Sequence, residues 1–149
     1  MRSALKSTAA IIAGFVAASI VMMIIETING KVIYPELGRA GEGMTDRERV
    51  RALLATAPVG AFLVVIAGWV LGSIAGGWLA ALIAGRSGIT HGLVLGVLLT
   101  LAGVANNLMV PPPLWFWFAS LVVLLPSYPS GYLPSTRILV SNLRWRLRG

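Results

Sequence analysis

Residues 57–84 read APVGAFLVVIAGWVLGSIAGGWLAALIA and include no charged side chain. About 20 apolar residues in a helix are enough to cross the roughly 30 Å hydrocarbon core of a bilayer. Stretches 9–25 and 89–110 also contain no Lys, Arg, Asp or Glu, and a shorter uncharged stretch follows at 114–125. The sequence therefore predicts a multi-pass membrane protein.

The composition agrees with a location in the membrane. Hydrophobic residues make up 57% of the chain, charged residues 11%, and the mean hydropathy is +0.85. A soluble domain of this composition has too few polar side chains to cover its surface. The 149 residues fit a single domain, and we predict an all-α integral membrane protein with four transmembrane helices in a compact bundle. The predicted spans are 7–28, 57–84, 89–110 and 114–133.

The first apolar stretch has two interpretations. Arg2 and Lys6 precede it, as basic residues precede the core of a signal peptide. Because the apolar sequence continues to Ile25, beyond the length of a usual signal-peptide core, we predict an uncleaved first transmembrane helix. Asn29 and Gly30 are typical of a helix end, so this helix should end there.

The connection 29–56 is predicted to begin with a flexible, Gly-rich part at 36–43 and to continue as a short amphipathic helix. Thr45 and Glu48 have the spacing of a capping box at its start, and apolar residues then recur at helical spacing. We expect this helix to lie on the membrane surface as a connector, and the alternative is a lid over a substrate. Pro58 should place a bend between this helix and the second span.

Gly68, Gly72 and Gly76 repeat every four residues in the second span. Glycines at this spacing form a groove into which another helix backbone packs closely. The partner is either a helix of the same chain, for which Gly92 and Gly96 are candidates, or a second copy of the protein. We predict on this basis a homo-oligomer or a subunit of a larger membrane assembly.

Glu26 is the acidic residue closest to an apolar span. Asn106 and Asn107 fall at the corresponding end of the third span, so the three side chains are candidates for one polar cluster that binds a proton, a cation or a solute near the outer face. The competing interpretation makes Glu26 a helix-end anchor that reaches water or pairs with Lys31 or an arginine of the first loop.

Aromatic and basic residues around the last apolar stretch predict contacts with lipid. Trp115 and Trp117 follow three prolines and are typical of an interfacial belt, with a pocket wall as the alternative. Prolines within 126–134 predict a bent fourth helix. The basic tail 135–149 should bind anionic lipid head groups. Its contributing residues are Arg144, Arg146 and Arg148.

Several kinds of site are not predicted. The chain has no cysteine, which excludes disulfides, thiolate metal sites and cysteine nucleophiles. It has no glycine-rich phosphate loop and no Ser–His–Asp set, so we predict no enzymatic activity, no cofactor and no metal. The net charge of +7 would suggest nucleic acid in a soluble protein, whereas here lipid head groups are the expected partners and no nucleic acid is predicted.

The distribution of basic residues predicts the orientation. Seven of the twelve Lys and Arg residues lie in the N-terminal flank, the second connection and the tail, and five lie in the first loop. The positive-inside rule therefore places both termini in the cytoplasm, with the protein in a plasma or bacterial inner membrane. The leading functional prediction is a non-catalytic structural or accessory subunit that packs through the glycine face. The alternative is a small proton- or cation-coupled transporter that uses Glu26.

Overall fold

The computed structural model of the protein describes residues 2–85 and 88–124. Every regular element in these two segments is helical, which confirms the all-α prediction. The elements are α1 (Arg2–Ile28), a π-helical turn (Asn29–Ile33), α2 (Pro35–Gly41), α3 (Arg47–Thr56), α4 (Val59–Ala84), α5 (Gly88–Met109) and α6 (Leu114–Leu124).

Three helical segments are long and apolar enough to span a membrane. They cover Ala4–Ile33, Val59–Ala84 and Thr90–Met109. Their outer surfaces expose many large apolar side chains, among them Leu63 and Leu101, and soluble proteins rarely expose so much contiguous apolar surface. These features indicate a membrane protein with three candidate spans.

The predicted fourth span, 114–133, is described only in part. Helix α6 has 11 residues, so it is roughly 16 Å long and shorter than the hydrocarbon core. The remainder of that span, its predicted bend and the basic tail 135–149 lie outside the described residues. The four-helix bundle therefore stays a prediction.

The glycine face of α4 packs against α1. A Cβ atom added at Gly72 would lie 2.7 Å from Met22 Cγ and 2.8 Å from the carbonyl oxygen of Ala18, and Gly76 contacts the backbone of Gly14. Real Cβ atoms do not approach other atoms so closely, so this helix pair requires glycine at these positions.

The prediction that Gly92 and Gly96 would fill the α4 groove is wrong. Helix α1 fills it because α1 has its own stripe of small residues, Ala10, Gly14 and Ala18, all buried and spaced by four. The glycine face is therefore covered within a single chain. The predicted homo-oligomer stays a prediction and would need a different surface.

The start of α1 and the end of α4 lie at the same end of the bundle. Lys6 Nζ lies 3.5 Å from the position that a Cβ atom at Gly85 would occupy. Gly85 has φ of 66° and donates its N–H to Ala81, which is the left-handed conformation that commonly ends a helix. The ammonium group of Lys6 is favourable there because the C-terminal end of a helix carries partial negative charge.

Helix α1 ends at Ile28, next to the end predicted at Asn29 and Gly30. The helical path continues through the π-helical turn, in which Tyr34 N donates to Asn29 O at 2.7 Å. The Asn29 side chain is buried and its Nδ2 donates to the Ala61 carbonyl of α4 at 3.0 Å. This tertiary hydrogen bond stabilises the turn against α4, and local helix-end preference does not include such a contact.

The first connection is more ordered than predicted. The part expected to be flexible forms α2, which packs on the π-helical turn where Gly38 contacts Gly30. Helix α3 begins one residue later than the capping box predicts, because Asp46 accepts a hydrogen bond from Arg49 N at 2.8 Å. Pro58 separates α3 from α4 in an extended conformation, as predicted.

An aromatic cluster connects α4 to α6. Phe116 is buried, with its ring centroid 5.3 Å from Phe62 and 5.6 Å from Trp69. Trp115 packs edge-on against Phe62 at 5.5 Å. Such tilted and edge-to-face pairs are the preferred geometry of aromatic rings, and they fix α6 against the end of α4.

Candidate functional site

The three predicted site residues line one cleft. Glu26 of α1 and both Asn106 and Asn107 of α5 border a cleft of about 760 Å³. Glu26 lies about 20 residues along α1 from Lys6, so the cleft and the Lys6 end of the bundle are some 30 Å apart. The three residues thus share one cleft, and the binding site that they were predicted to form stays a prediction.

A buried tryptophan holds the carboxylate of Glu26. Trp69 Nε1 donates to Glu26 Oε1 at 2.9 Å, from an indole that is only 4% exposed. A hydrogen bond to an ionised group contributes about 1.5–3 kcal/mol. Because Trp69 also packs on Phe116, the aromatic cluster sets the position of the carboxylate.

Asn107 carries a buried oxygen with no partner. Its Nδ2 donates to Ser120 Oγ at 3.0 Å, and the Ser120 hydroxyl donates its one proton to the Trp117 carbonyl at 3.0 Å. Ser120 Oγ must therefore accept from Asn107, which fixes the amide so that its oxygen faces away. Among the described residues, that Oδ1 atom is buried and accepts no hydrogen bond.

Asn29, which also lines the cleft, repeats this arrangement. Its Nδ2 is committed to the Ala61 carbonyl, which fixes the orientation of the amide. Its Oδ1 is also buried without a partner in the described part of the chain. An unpartnered buried acceptor costs about 1–3 kcal/mol, which a donor from water or from a ligand would recover.

The rest of the wall is mainly apolar. Phe62 and Phe116 contribute aromatic rings, and the apolar face of α3 contributes Val50, Leu53 and Leu54. We predicted that this amphipathic helix would rest on the membrane surface. Its apolar residues line the cleft, and Leu54 also packs against the core cluster. Both the surface connector and the lid stay predictions.

Charged groups of both signs lie at the edge of the cleft. Lys31 and Glu42 line it, and so does Arg39, which pairs with Glu36. In the described residues this is the one ion pair, so the predicted anchor of Glu26 to Lys31 or to a loop arginine is absent there. The partner of Glu26 is the neutral indole of Trp69.

Sequence reasoning missed Trp69 and Ser120, whereas Phe116 belongs to the aromatic stretch for which a pocket wall was the alternative to an interfacial belt. A signal was available for Trp69, since an indole N–H within an apolar span needs a hydrogen-bond acceptor and Glu26 is the nearby acidic residue. For Ser120 there was none, because its role depends on how α6 packs against α5. Thr56, at the end of α3, donates to Leu53 and lies outside the cleft.

The predicted lipid-facing residues are only partly described. Trp115 is 40% exposed and packs on the aromatic cluster, while Trp117 lines a second, smaller cleft. The interfacial belt thus stays a prediction for both. Arg144, Arg146 and Arg148 lie outside the described residues.

Comparisons with known proteins add no further evidence. No protein-family model matches the chain, and no curated protein and no solved structure is significantly similar to it. Within the described residues, no group of three His, Cys, Asp or Glu is placed to bind a metal ion. The function is therefore argued from the chemistry of the cleft.

Proposed function

We propose that the protein is a small membrane carrier that binds an organic cation in the Glu26 cleft. The observation that supports this most is the chemistry of the polar groups that line the cleft. Glu26, Asn29 and Asn107 provide a carboxylate and two buried amide oxygens without partners in the described residues. All of these atoms are hydrogen-bond acceptors, so the complementary ligand carries N–H donors and positive charge.

The size and lining of the cleft support a ligand with an apolar body. A volume of about 760 Å³ lies within the range of small-molecule sites, which combine apolar walls with a few polar groups. Phe62 and Phe116 can contact a flat or alkyl body, and aromatic faces also attract cations. An inorganic ion would leave most of this wall without contacts.

The leading sequence prediction, a structural or accessory subunit that packs through the glycine face, stays a prediction. Helix α1 covers that face of α4, so the face does not by itself support a partner outside the chain. The alternative depended on Glu26, Asn106 and Asn107 coming together, and they line one cleft. We therefore prefer the carrier, with Glu26 as the residue that exchanges the cation.

Equilibrium binding to the purified protein tests the ligand chemistry. We expect 2-phenylethylammonium to bind at least about tenfold more tightly than neutral 2-phenylethanol, because only the ammonium ion forms charge-assisted hydrogen bonds. Its trimethylated analogue keeps the charge but loses the N–H donors, and it should bind with intermediate affinity. Isothermal titration in a neutral detergent measures all three.

The variant Glu26→Gln and a matched control complete the test. Glutamine keeps an acceptor for Trp69 Nε1, so the fold should persist while the preference for the ammonium ion over the alcohol disappears. Glu48→Gln removes the same charge from an exposed position of α3 outside the cleft and should bind like the wild type. Equal affinities of wild-type protein for the ammonium ion and the alcohol would refute the proposal.

A further inference from the structure

A second cleft lies beside the first, between α3 and the segment that joins α5 to α6. Its volume is about 450 Å³, and its wall includes Arg47, Arg51, Trp117 and the three prolines 111–113. Arg47 and Arg51 are four residues apart on α3, so their side chains lie on the same helix face. The proposed cation site does not use these arginines.

The two arginines have no acidic partner among the described residues, where the one ion pair joins Arg39 to Glu36. A guanidinium group presents paired N–H donors that match the oxygens of a phosphate. Trp117 can add an indole N–H as a further donor. The prolines have no backbone N–H and form a stiff part of the wall. The hydrogen-bond donors of this cleft therefore come mainly from side chains, and these donors suit an anion.

The position of the cleft indicates the source of the anion. Pro111, Pro112 and Pro113 follow within four residues of Met109, where the candidate span Thr90–Met109 ends. A chain that leaves the hydrocarbon core at Met109 enters the layer where lipid phosphates lie. Leu114, also in the wall, is 79% exposed and can contact the start of an acyl chain.

We propose that this cleft binds the phosphate group of an anionic membrane phospholipid, with Arg47 and Arg51 as the phosphate ligands. The site is distinct from the basic tail that the sequence predicts as a lipid contact. It shares Asn107 with the wall of the Glu26 cleft, but its two phosphate ligands are not among the groups of the proposed cation carrier. Basic pockets at the ends of membrane helices are suited to lipid head groups in this way.

Native mass spectrometry of the full chain, released from mixed vesicles of phosphatidylglycerol and phosphatidylcholine, tests this site. Arg51→Gln should lower the occupancy by phosphatidylglycerol about tenfold, as expected for loss of one charge-assisted contact, and Arg47→Gln should act similarly. Arg49→Gln is the matched control, since Arg49 is exposed on the same helix and does not line the cleft. It should change the occupancy by less than about threefold.

Three outcomes decide between a lipid site and its alternatives. Selective loss of phosphatidylglycerol in the Arg47 and Arg51 variants supports the proposal. Equal losses in the Arg49 and Arg51 variants would overturn it, because diffuse surface charge would then explain the binding. Titration with inorganic phosphate in neutral detergent distinguishes a lipid phosphate from free phosphate as the ligand. If inorganic phosphate binds in an Arg51-dependent way and no lipid is retained, the lipid assignment is also overturned. Circular dichroism confirms that each variant is folded.

Discussion

At the scale of single residues, the hydrogen bond between Trp69 and Glu26 organises the Glu26 cleft. Glu26 borders the cleft, whereas the indole that holds it is buried behind Phe116. A carboxylate held in one position loses less conformational entropy when it binds a ligand. Trp69 is therefore a positioning residue, and Glu26 is the group that would contact the cation.

Trp69→Phe should weaken binding of 2-phenylethylammonium by about three- to tenfold without abolishing it, because the carboxylate remains but loses its fixed partner. Affinity for 2-phenylethanol should be unchanged, which separates a positioning effect from loss of the cleft. Trp78→Phe, on the exposed side of α4, should bind both compounds like the wild type. Isothermal titration of the two variants measures these ratios. Equal affinity of Trp69→Phe and wild type for the ammonium ion would show that the hydrogen bond does not position Glu26.

The residues that the sequence could predict are those whose chemistry conflicts with their surroundings. Glu26, Asn106 and Asn107 are polar residues beside apolar spans, and burial of such groups requires partners. The contributions of Asn29 and Ser120 depend on tertiary contacts, to the Ala61 carbonyl and to Asn107. No periodicity or spacing encodes those contacts, so sequence analysis could not find them.

At the scale of helices, the close pairing of α1 with α4 forms the framework of the protein. The two helices run antiparallel, with Lys6 beside Gly85 at one end and Glu26 beside Trp69 at the other. In a membrane, van der Waals contact rather than the hydrophobic effect provides most of the affinity between helices. The small residues along both helices allow that contact.

Gly72→Ile should destabilise the fold by about 2 kcal/mol or more, because even a Cβ atom at this position overlaps Met22 and the Ala18 carbonyl. Ala67→Ile adds a similar side chain to the exposed side of α4 and should change stability by less than about 0.5 kcal/mol. Thermal unfolding in detergent, followed by circular dichroism, compares the two variants. Wild-type stability of Gly72→Ile would contradict the observed packing of α1 on α4.

The glycine spacing predicted a close helix contact but not its partner. Stripes of small residues spaced by four serve contacts within and between chains alike, and Gly92 and Gly96 showed the same spacing as Gly14 and Ala18. Similarly, the helix signals in the first connection located α3 but not α2. Helix α2 is short and Gly-rich, and it depends on contact with the π-helical turn at Gly30.

At the scale of the whole molecule, the two ends of the bundle differ in chemistry. One end brings Lys6 to the C-terminus of α4. The other contains both clefts, which share α3 in their walls. Composition and hydropathy predicted the helical class and the three candidate spans, because long apolar helices are the main way in which a chain satisfies its backbone in lipid. The positive-inside rule predicts that the clefts face outward. This orientation stays a prediction, and so does the fourth transmembrane span.

The central claim is that Glu26 binds and exchanges an organic cation. The most direct test is the uptake of radiolabelled 2-phenylethylammonium into sealed proteoliposomes. The account predicts saturable uptake by the wild-type protein. Glu26→Gln should lose at least about nine-tenths of this uptake, because the substitution removes a charge-assisted contact. Glu48→Gln should take up the cation like the wild type. Absence of saturable uptake by correctly inserted wild-type protein, or equal uptake by Glu26→Gln and wild type, would contradict the account.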